Sequence, residues 1–338
     1  MPVSLKDVAT LAGVSIKTVS NVVNDYPYVS IRTRARVQAA IDQLGYRPNL
    51  TARNLRTRRT GMLALAIPQL DNAYFAELAR DVVDVARIRG YTVLIDKTDG
   101  DPRREHEVLE SVGTRLVDGI ILNPIGLAPD ELAGYPGATP LVLLGERRVR
   151  WSADHVGADS VAMACAATEH LISVGRKRIA AVGHQPQRWA STSRQRLSGY
   201  KKTLRASGLA VEPGLVVPTP MLFRRHGVEA ADVLLGLENP PDAVFCFNDP
   251  LALGVIRRLH ELGVRVPDDI AVVGVDDIEE GRFSVPTLTT VAPDKRVIAE
   301  RAVSMVLERI SGEVNGPPRE VVVEHCLRIR ESSGRGSS

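Results

Sequence analysis

Cysteine is scarce in this 338-residue chain: there are three, Cys165, Cys246 and Cys326, odd in number and far apart. That leaves neither a disulfide framework nor a cysteine-rich zinc site. No apolar run approaches the roughly 18 residues that span a bilayer. Residues 1–10 carry no apolar stretch of the secretory type. The reading excludes a membrane protein, a secreted mini-protein and a structural-zinc protein, and the expected compartment is a reducing cytosol. Catalytic signatures are missing too. No Gly-x-Gly-x-x-Gly follows a strand and no Gly-x-x-x-x-Gly-Lys-Ser/Thr occurs, so nucleotide chemistry has no support. The seven histidines show neither His-x-x-x-His nor His-Glu-x-x-His spacing, and no Gly-x-Ser-x-Gly elbow is present. Neither enzymatic activity nor a cofactor or metal is expected.

What is present is ordinary globular composition, 44% apolar and 25% charged, over a length sufficient for two domains. The charge is not evenly spread. Residues 1–60 hold ten cationic side chains against only Asp7, Asp25 and Asp42, a net +7 within a whole-chain +3, so the remaining 278 residues carry −4. A basic head on a mildly acidic body is the footprint of a polyanion-binding module joined to something else. A merely solvated basic tail would not show the apolar periodicity that the head has.

Leu5, Val8, Ala9 and Ala12 fall at i, i+3, i+4 and i+7, one face of a helix that Ser4 can cap and Gly13 can end. Ser15 then opens a second helix with Val19, Val22 and Val23 inward, and a third follows Ser30, with Val37, Ala40, Ile41 and Leu44 apolar before Gly45. Helix, glycine-containing turn and helix make a helix-turn-helix. The outward face of the second helix is Ile16, Lys17, Thr18, Ser20 and Asn21. Lys and Asn can bond base edges, Ile can meet a thymine methyl, and Thr and Ser can bond phosphate. Any solvated helix could show such residues, and the +7 charge is what favours DNA.

Leu5-Lys6-Asp7-Val8-Ala9, Ala12-Gly13-Val14-Ser15 and Thr18-Val19-Ser20-Asn21-Val22-Val23-Asn24 together resemble the opening signature of the lac-repressor (LacI/GalR) family of bacterial transcription regulators. Leu44-Gly45-Tyr46-Arg47-Pro48-Asn49 and Ala52-Arg53-Asn54-Leu55 are similar to its helix-3 exit and hinge. The resemblance implies that Ile16, Lys17 and Asn21 read bases, with Thr18, Ser20 and Asn24 also on the DNA. The hinge segment, 49–59, contains about seven helical residues, too few to hold a helix alone in water. It reads either as a basic linker or as a segment that becomes helical on DNA. The resemblance implies the second: Leu55 would wedge a central base step in the minor groove, flanked by Arg53 and Arg56.

From residue 60 onward, short apolar strands alternate with helical stretches. Strands are expected at 62–67, 91–95, 119–122, 141–144, 178–183, 215–217, 243–247 and 270–275, and helices at 103–115, 160–174, 194–207, 225–237 and 250–262. Another helix carries Leu78, Ala79, Val82, Val83 and Ala86. This rhythm implies parallel sheets covered on both faces, and 278 residues imply two lobes. In such sheets ligands sit beyond the carboxyl ends of the strands. Those ends bring polar groups together with Tyr74, Phe75, Trp189 and Phe223.

The resemblance extends here through Asp71-Asn72-Ala73-Tyr74-Phe75, Arg196-Leu197-Ser198-Gly199-Tyr200, Phe247-Asn248-Asp249-Pro250 and Val273-Gly274-Val275-Asp276-Asp277. It implies a two-lobed α/β core like periplasmic sugar-binding proteins, behind an all-α N-terminal DNA-binding domain at 1–59. The lobes would be 60–158 with 290–321 and 159–289 with 322–331, leaving 332–338 as a flexible tail. Arg196 and Asp276 match effector-bonding positions, and a guanidinium and a carboxylate suit vicinal hydroxyls. The alternative is a salt bridge or simple capping. Tyr74, Phe75, Asn123, Asn248 and Phe223 complete the candidate effector set, although Phe223 fits an apolar core equally, and Asp249 is expected to cap the helix at Pro250. The function implied is a DNA-binding repressor that grips double-stranded operator DNA as a homodimer and is switched by a sugar-like effector. No heptad tail argues for anything larger. A nucleobase effector is the nearest alternative, prompted by Tyr74-Phe75; a solute-binding protein or an α/β enzyme with a DNA-targeting head is weaker.

Overall fold

The computed structural model describes residues 3–23, 26–46, 59–111, 116–127, 131–132, 139–145, 153–186 and 191–334. It contains two compact units, Met1–Thr60 and Gly61–Ser338. Residues 49–58 of the hinge segment, Asn24 and Trp189 lie outside the described residues.

In the first unit α1 (Leu5–Ala12), α2 (Ile16–Val23) and α3 (Ile31–Leu44) close around Val8, Ala12, Val19, Val22, Val37 and Ala40. So small a core depends on well-made helix ends. Ser4 and Asp7 form a capping box, the Asp7 carboxylate accepting the Ser4 N–H at 2.8 Å. Ser15 Oγ accepts the Thr18 N–H at 3.1 Å to start α2. Gly13 sits at φ 60°, where the N–H groups of Gly13 and Val14 turn back to the last carbonyls of α1. Arg36 of α3 donates to the Gly13 carbonyl, tying the third helix to that turn.

The second unit holds two six-stranded sheets. The first comprises β1 (Met62–Ile67), β2 (Thr92–Lys97), β3 (Gly119–Leu122), β4 (Leu141–Leu144), β5 (Asp154–Ala158) and β11 (Glu320–Val323), in the order β11-β5-β4-β3-β1-β2, all parallel. The second comprises β6 (Ile179–His184), β7 (Val216–Pro218), β8 (Ala243–Cys246), β9 (Ala271–Val275), β10 (Thr289–Pro293) and β12 (His325–Arg328), in the order β12-β10-β9-β8-β6-β7. Only β12 runs antiparallel in it. Strands β3, β4, β8 and β9 are buried at every residue, as sheets covered on both faces require. The covering helices are α4 (Ala73–Ile88), α5 (Pro102–Ser111), α6 (Ser160–Ser173), α7 (Ser191–Ala206), α8 (Arg224–Leu235), α9 (Asp249–Glu261), the short α10 (Glu279–Phe283) and α11 (Lys295–Ser311). In each sheet the strand order reverses once, at β1 and at β6. The crevices beyond the carboxyl ends of β1/β3 and β6/β8 are therefore where a ligand fits.

Several expectations are corrected. The second crossover follows Pro293 rather than residue 290, because β10 pairs with β9 in the second sheet. The third falls after Val323, because β11 pairs with β5 in the first. The tail is not free at its start: Ser332 and Ser333 are buried, Ser332 Oγ donates to the Val272 carbonyl at 2.6 Å and accepts the Thr289 N–H at 2.8 Å, and Ser333 Oγ meets His170 Nε2 at 2.7 Å. Strand β5 escaped the periodicity because it opens Asp-His rather than with apolar residues. Asp154 is nevertheless fully buried, bonded by Arg309 at 2.7 Å and Arg319 at 2.8 Å. Burial alone would raise its carboxyl, but those two guanidinium groups outweigh that and hold it below the usual carboxylate range.

Candidate functional site

Two sites emerge, one in each unit. In the first, burying Val19 and Val22 turns the rest of α2 outward: Ile16 and Lys17 are exposed, and Thr18, Ser20 and Asn21 are half-buried. Thr18 Oγ1 lies 2.8 Å from Ser15 Oγ, so the cap also orients this hydroxyl. Ile16 and Lys17 occupy the first two helical positions, where backbone N–H groups point off the helix end toward any anion brought to it. Asn24, Arg53, Leu55 and Arg56 fall outside the described residues.

In the second unit, Arg196 of α7 reaches the crevice almost wholly buried. It donates through Nη1 to the Phe247 carbonyl and through Nε to Ser160 Oγ at 3.3 Å, and its Nη2 stands 3.9 Å from the Asp276 carboxylate. Asp276 and Asp277 follow β9 with φ of 116° and 48°. Consecutive non-glycine residues in that region cost of order 1–3 kcal/mol each and persist only where the surroundings over-determine them. The surroundings do so here. Asp277 is bonded by Arg330 and by Arg282, at 2.9 Å to the latter, and Lys295 Nζ donates to the carbonyls of both aspartates. Beneath them Asp249 accepts from the Ile278 N–H at 3.0 Å and from Thr290 Oγ1 at 2.6 Å. Burial, then repulsion from Asp276, pushes the Asp249 acid well above its ordinary range.

The expected capping role of Asp249 therefore passes to its neighbour. Asn248 Oδ1 accepts the Leu251 N–H at 3.0 Å while its Nδ2 donates to the Leu222 carbonyl at 3.0 Å, committing both ends of that amide to the protein. Phe223 precedes α8, half-buried, stacked on His226 with the Arg225 guanidinium 5.2 Å from its ring centre. A cavity of about 210 Å³ opens among Asp71, Asn72, Phe223, Arg224, Arg225 and Pro250, drawn from both lobes. Of the candidate effector residues, only Phe223 lines it directly. Tyr74 and Phe75 meet edge to face at the start of α4, which Asn72 caps, and Lys295 Nζ lies 5.8 Å from the Tyr74 ring centre. Asn123 follows β3, buried beside Gly145 of the first lobe.

Two family models match the chain: bacterial regulatory proteins of the lacI family over residues 4–49, and the periplasmic binding protein-like domain over 168–333. The repressor PurR of Vibrio atlanticus is 33% identical over 91% of this chain and 92% of its own length. This chain belongs to the LacI family. The ribose operon repressor of Escherichia coli is 34% identical over 91% of this chain and 93% of its own. Among solved structures, the lac repressor dimer bound to operator and an anti-inducer superposes with a TM-score of 0.84 at 26% identity, covering 98% of this chain and 99% of that one. The lac repressor bound to ONPG in the repressed state gives 0.85 at 26%, over 98% and 100%. The CelR–cellobiose complex gives 0.72 at 30%, over 98% and 99%. As a LacI-family member the chain is a DNA-binding transcriptional repressor, not an enzyme.

In this LacI-family core, sequence reasoning missed Glu77, Ser160 and Lys295. A signal existed for Lys295. A cation at the first position of a helix opposes the helix dipole, so a lysine there asks for a compensating partner. Glu77 reads from sequence as an ordinary surface position of α4 and gave no signal.

Proposed function

We propose that the head reads a two-fold symmetric operator through Ile16, Lys17 and Asn21, with Thr18, Ser20 and Asn24 on the same duplex. Arg53, Leu55 and Arg56 of the hinge segment engage the minor groove, Leu55 as the wedge. The core takes a small sugar or sugar derivative between its lobes, and its occupancy changes operator affinity. The observation that carries the core reading is the buried Arg196–Asp276 pair at a crevice, a donor and an acceptor suited to hydroxyl groups. The protein works in the cytoplasm, on nucleoid DNA. Among the described residues no helix is long and apolar enough to cross a membrane.

Two copies are needed for a two-fold site. A nucleobase is the second reading, favoured by the Tyr74–Phe75 pair and by Phe223, whose rings offer stacking surfaces. One experiment separates the readings: thermal unfolding of the core with ribose, cellobiose, hypoxanthine and guanine, together with duplex selection from a random pool. A sugar that raises the core transition and shifts affinity for the selected duplex supports the first; a purine doing so supports the second. Failure of the wild-type chain to enrich any two-fold duplex sinks both.

A further inference from the structure

The Glu77 carboxylate on first-lobe helix α4 uses both oxygens where the second lobe's 276–279 segment meets the start of α11. Oε2 pairs with Lys295 Nζ at 3.0 Å, and Oε1 accepts the Glu279 N–H at 2.9 Å. The side chains are only 15% and 11% exposed, so water screens this pair far less than a surface one. Glu279 opens α10, whose N-cap residue, Ile278, supplies no side-chain acceptor. Glu77 therefore caps that helix from the other lobe. Lys295 sits at the second crossover and binds the carbonyls of Asp276 and Asp277, the two residues held at positive φ. One ammonium thus joins three things: the strained peptide that carries Asp276, the start of the helix covering the first sheet, and a first-lobe carboxylate.

We propose that the Glu77–Lys295 clasp is the positioning element that transmits the state of the Asp276 loop to the first lobe, and that it holds the core in its duplex-binding arrangement. The inference rests on the operator-binding reading above. A ligand that bonds Asp276 acts on a residue whose carbonyl, with that of Asp277, Lys295 holds. Any shift of those carbonyls changes the geometry of the Lys295–Glu77 pair and of the α10 cap together. The pair is not needed to bury either core, because apolar clusters fill both lobes without it.

The test uses the full chain and, as probe, a duplex that the wild-type protein selects from a random pool. Glu77→Gln and Lys295→Met are each expected to weaken that duplex at least about fivefold, the low end of allosteric coupling. The double variant is expected to be no weaker than Lys295→Met, since that substitution already removes the ion pair that Glu77→Gln breaks. Amide exchange over residues 276–284 should quicken in Glu77→Ala, while exchange in β1 and β3 stays put. Unchanged duplex affinity in both singles, or a double variant equal to the product of the singles, overturns the proposal even if exchange quickens, because the clasp is then only structural. Should Lys295→Met fail to unfold cooperatively, the isosteric Glu77→Gln decides alone. A wild-type chain that selects no duplex sinks the function and the clasp together; a wild type that binds alongside variants that bind equally sinks the clasp only.

Discussion

The head and the core solve the problem of presenting functional groups in opposite ways. In the head, three helices bury one narrow stripe each, and the DNA-reading candidates are what that burial leaves outside: Ile16, Lys17, Thr18, Ser20 and Asn21. Ile16 and Lys17 are the most exposed of them. In the core Arg196, Asp276 and Asn248 lie inside, and each is already held by the protein before any ligand arrives. Arg196 rests on Phe247 and Ser160, Asp276 on a peptide held by Lys295, and Asn248 on Leu222 and Leu251. The difference teaches that recognition at Ile16 and Lys17 can be altered with little cost to stability, whereas in the core function and stability share the same hydrogen bonds.

The sharpest way to break this comparison lies in the core. Asp154→Ala takes from the part-exposed Arg309 and Arg319 the buried carboxylate they share, and we expect a loss of about 3 kcal/mol in core stability, the low end for a broken buried pair. Urea unfolding followed separately for head and core should show the head transition unmoved; coupled loss of both would end the idea of independent units. Next comes Ser332→Ala, which strands the Thr289 N–H and the Val272 carbonyl inside the second lobe. A cost of about 1–3 kcal/mol is expected, and a change within error in the denaturation midpoint would return residues 332–333 to the status of a tail.

Lys17→Ala sharpens the head side. Discrimination of about 1–3 kcal/mol at one base pair of the selected duplex should disappear with no change in head stability. Equal weakening on every sequence, with a reduced salt slope, would assign Lys17 to phosphate instead. The smallest effect is in pH. Burial holds His155, His170 and His184 below the ordinary imidazole value, with nearby Lys201 adding to this at His184. Native rings stay neutral while the unfolded chain takes up protons below about pH 6.5. Stability should therefore fall as pH drops from about 6.5 toward the native values, with no contribution above it. Asp249, raised in the native state, titrates with the opposite sign, so the difference curve between wild type and His155→Gln isolates the imidazole. A flat difference curve would count against His155.

Much of the fold was legible because period is a local property. Met62–Ile67, Gly119–Leu122 and Leu141–Leu144 read directly as buried strands, and the caps Ser4, Gly13 and Gly45 as helix ends. Strand β5 and the buried Ser332 were not legible, since Asp154 and Ser332 become interior only when distant arginines and carbonyls reach them. The site divided along the same line. Exposed α2 residues follow from the positions of Val19 and Val22, while Glu77 and Lys295 lie 218 positions apart and meet only at a lobe crossover.

Charge asymmetry, heptad-like spacing in three short helices and the strand–helix alternation belong to neighbouring residues, so the chain alone determined a basic helical reader joined to a doubled parallel α/β core. Which strands cross between sheets, which carboxylate caps a helix of the other lobe, and how two aspartates are held in left-handed backbone were decided only on folding. Those outcomes depend on groups hundreds of residues apart being desolvated together, and no local window of sequence contains that energy.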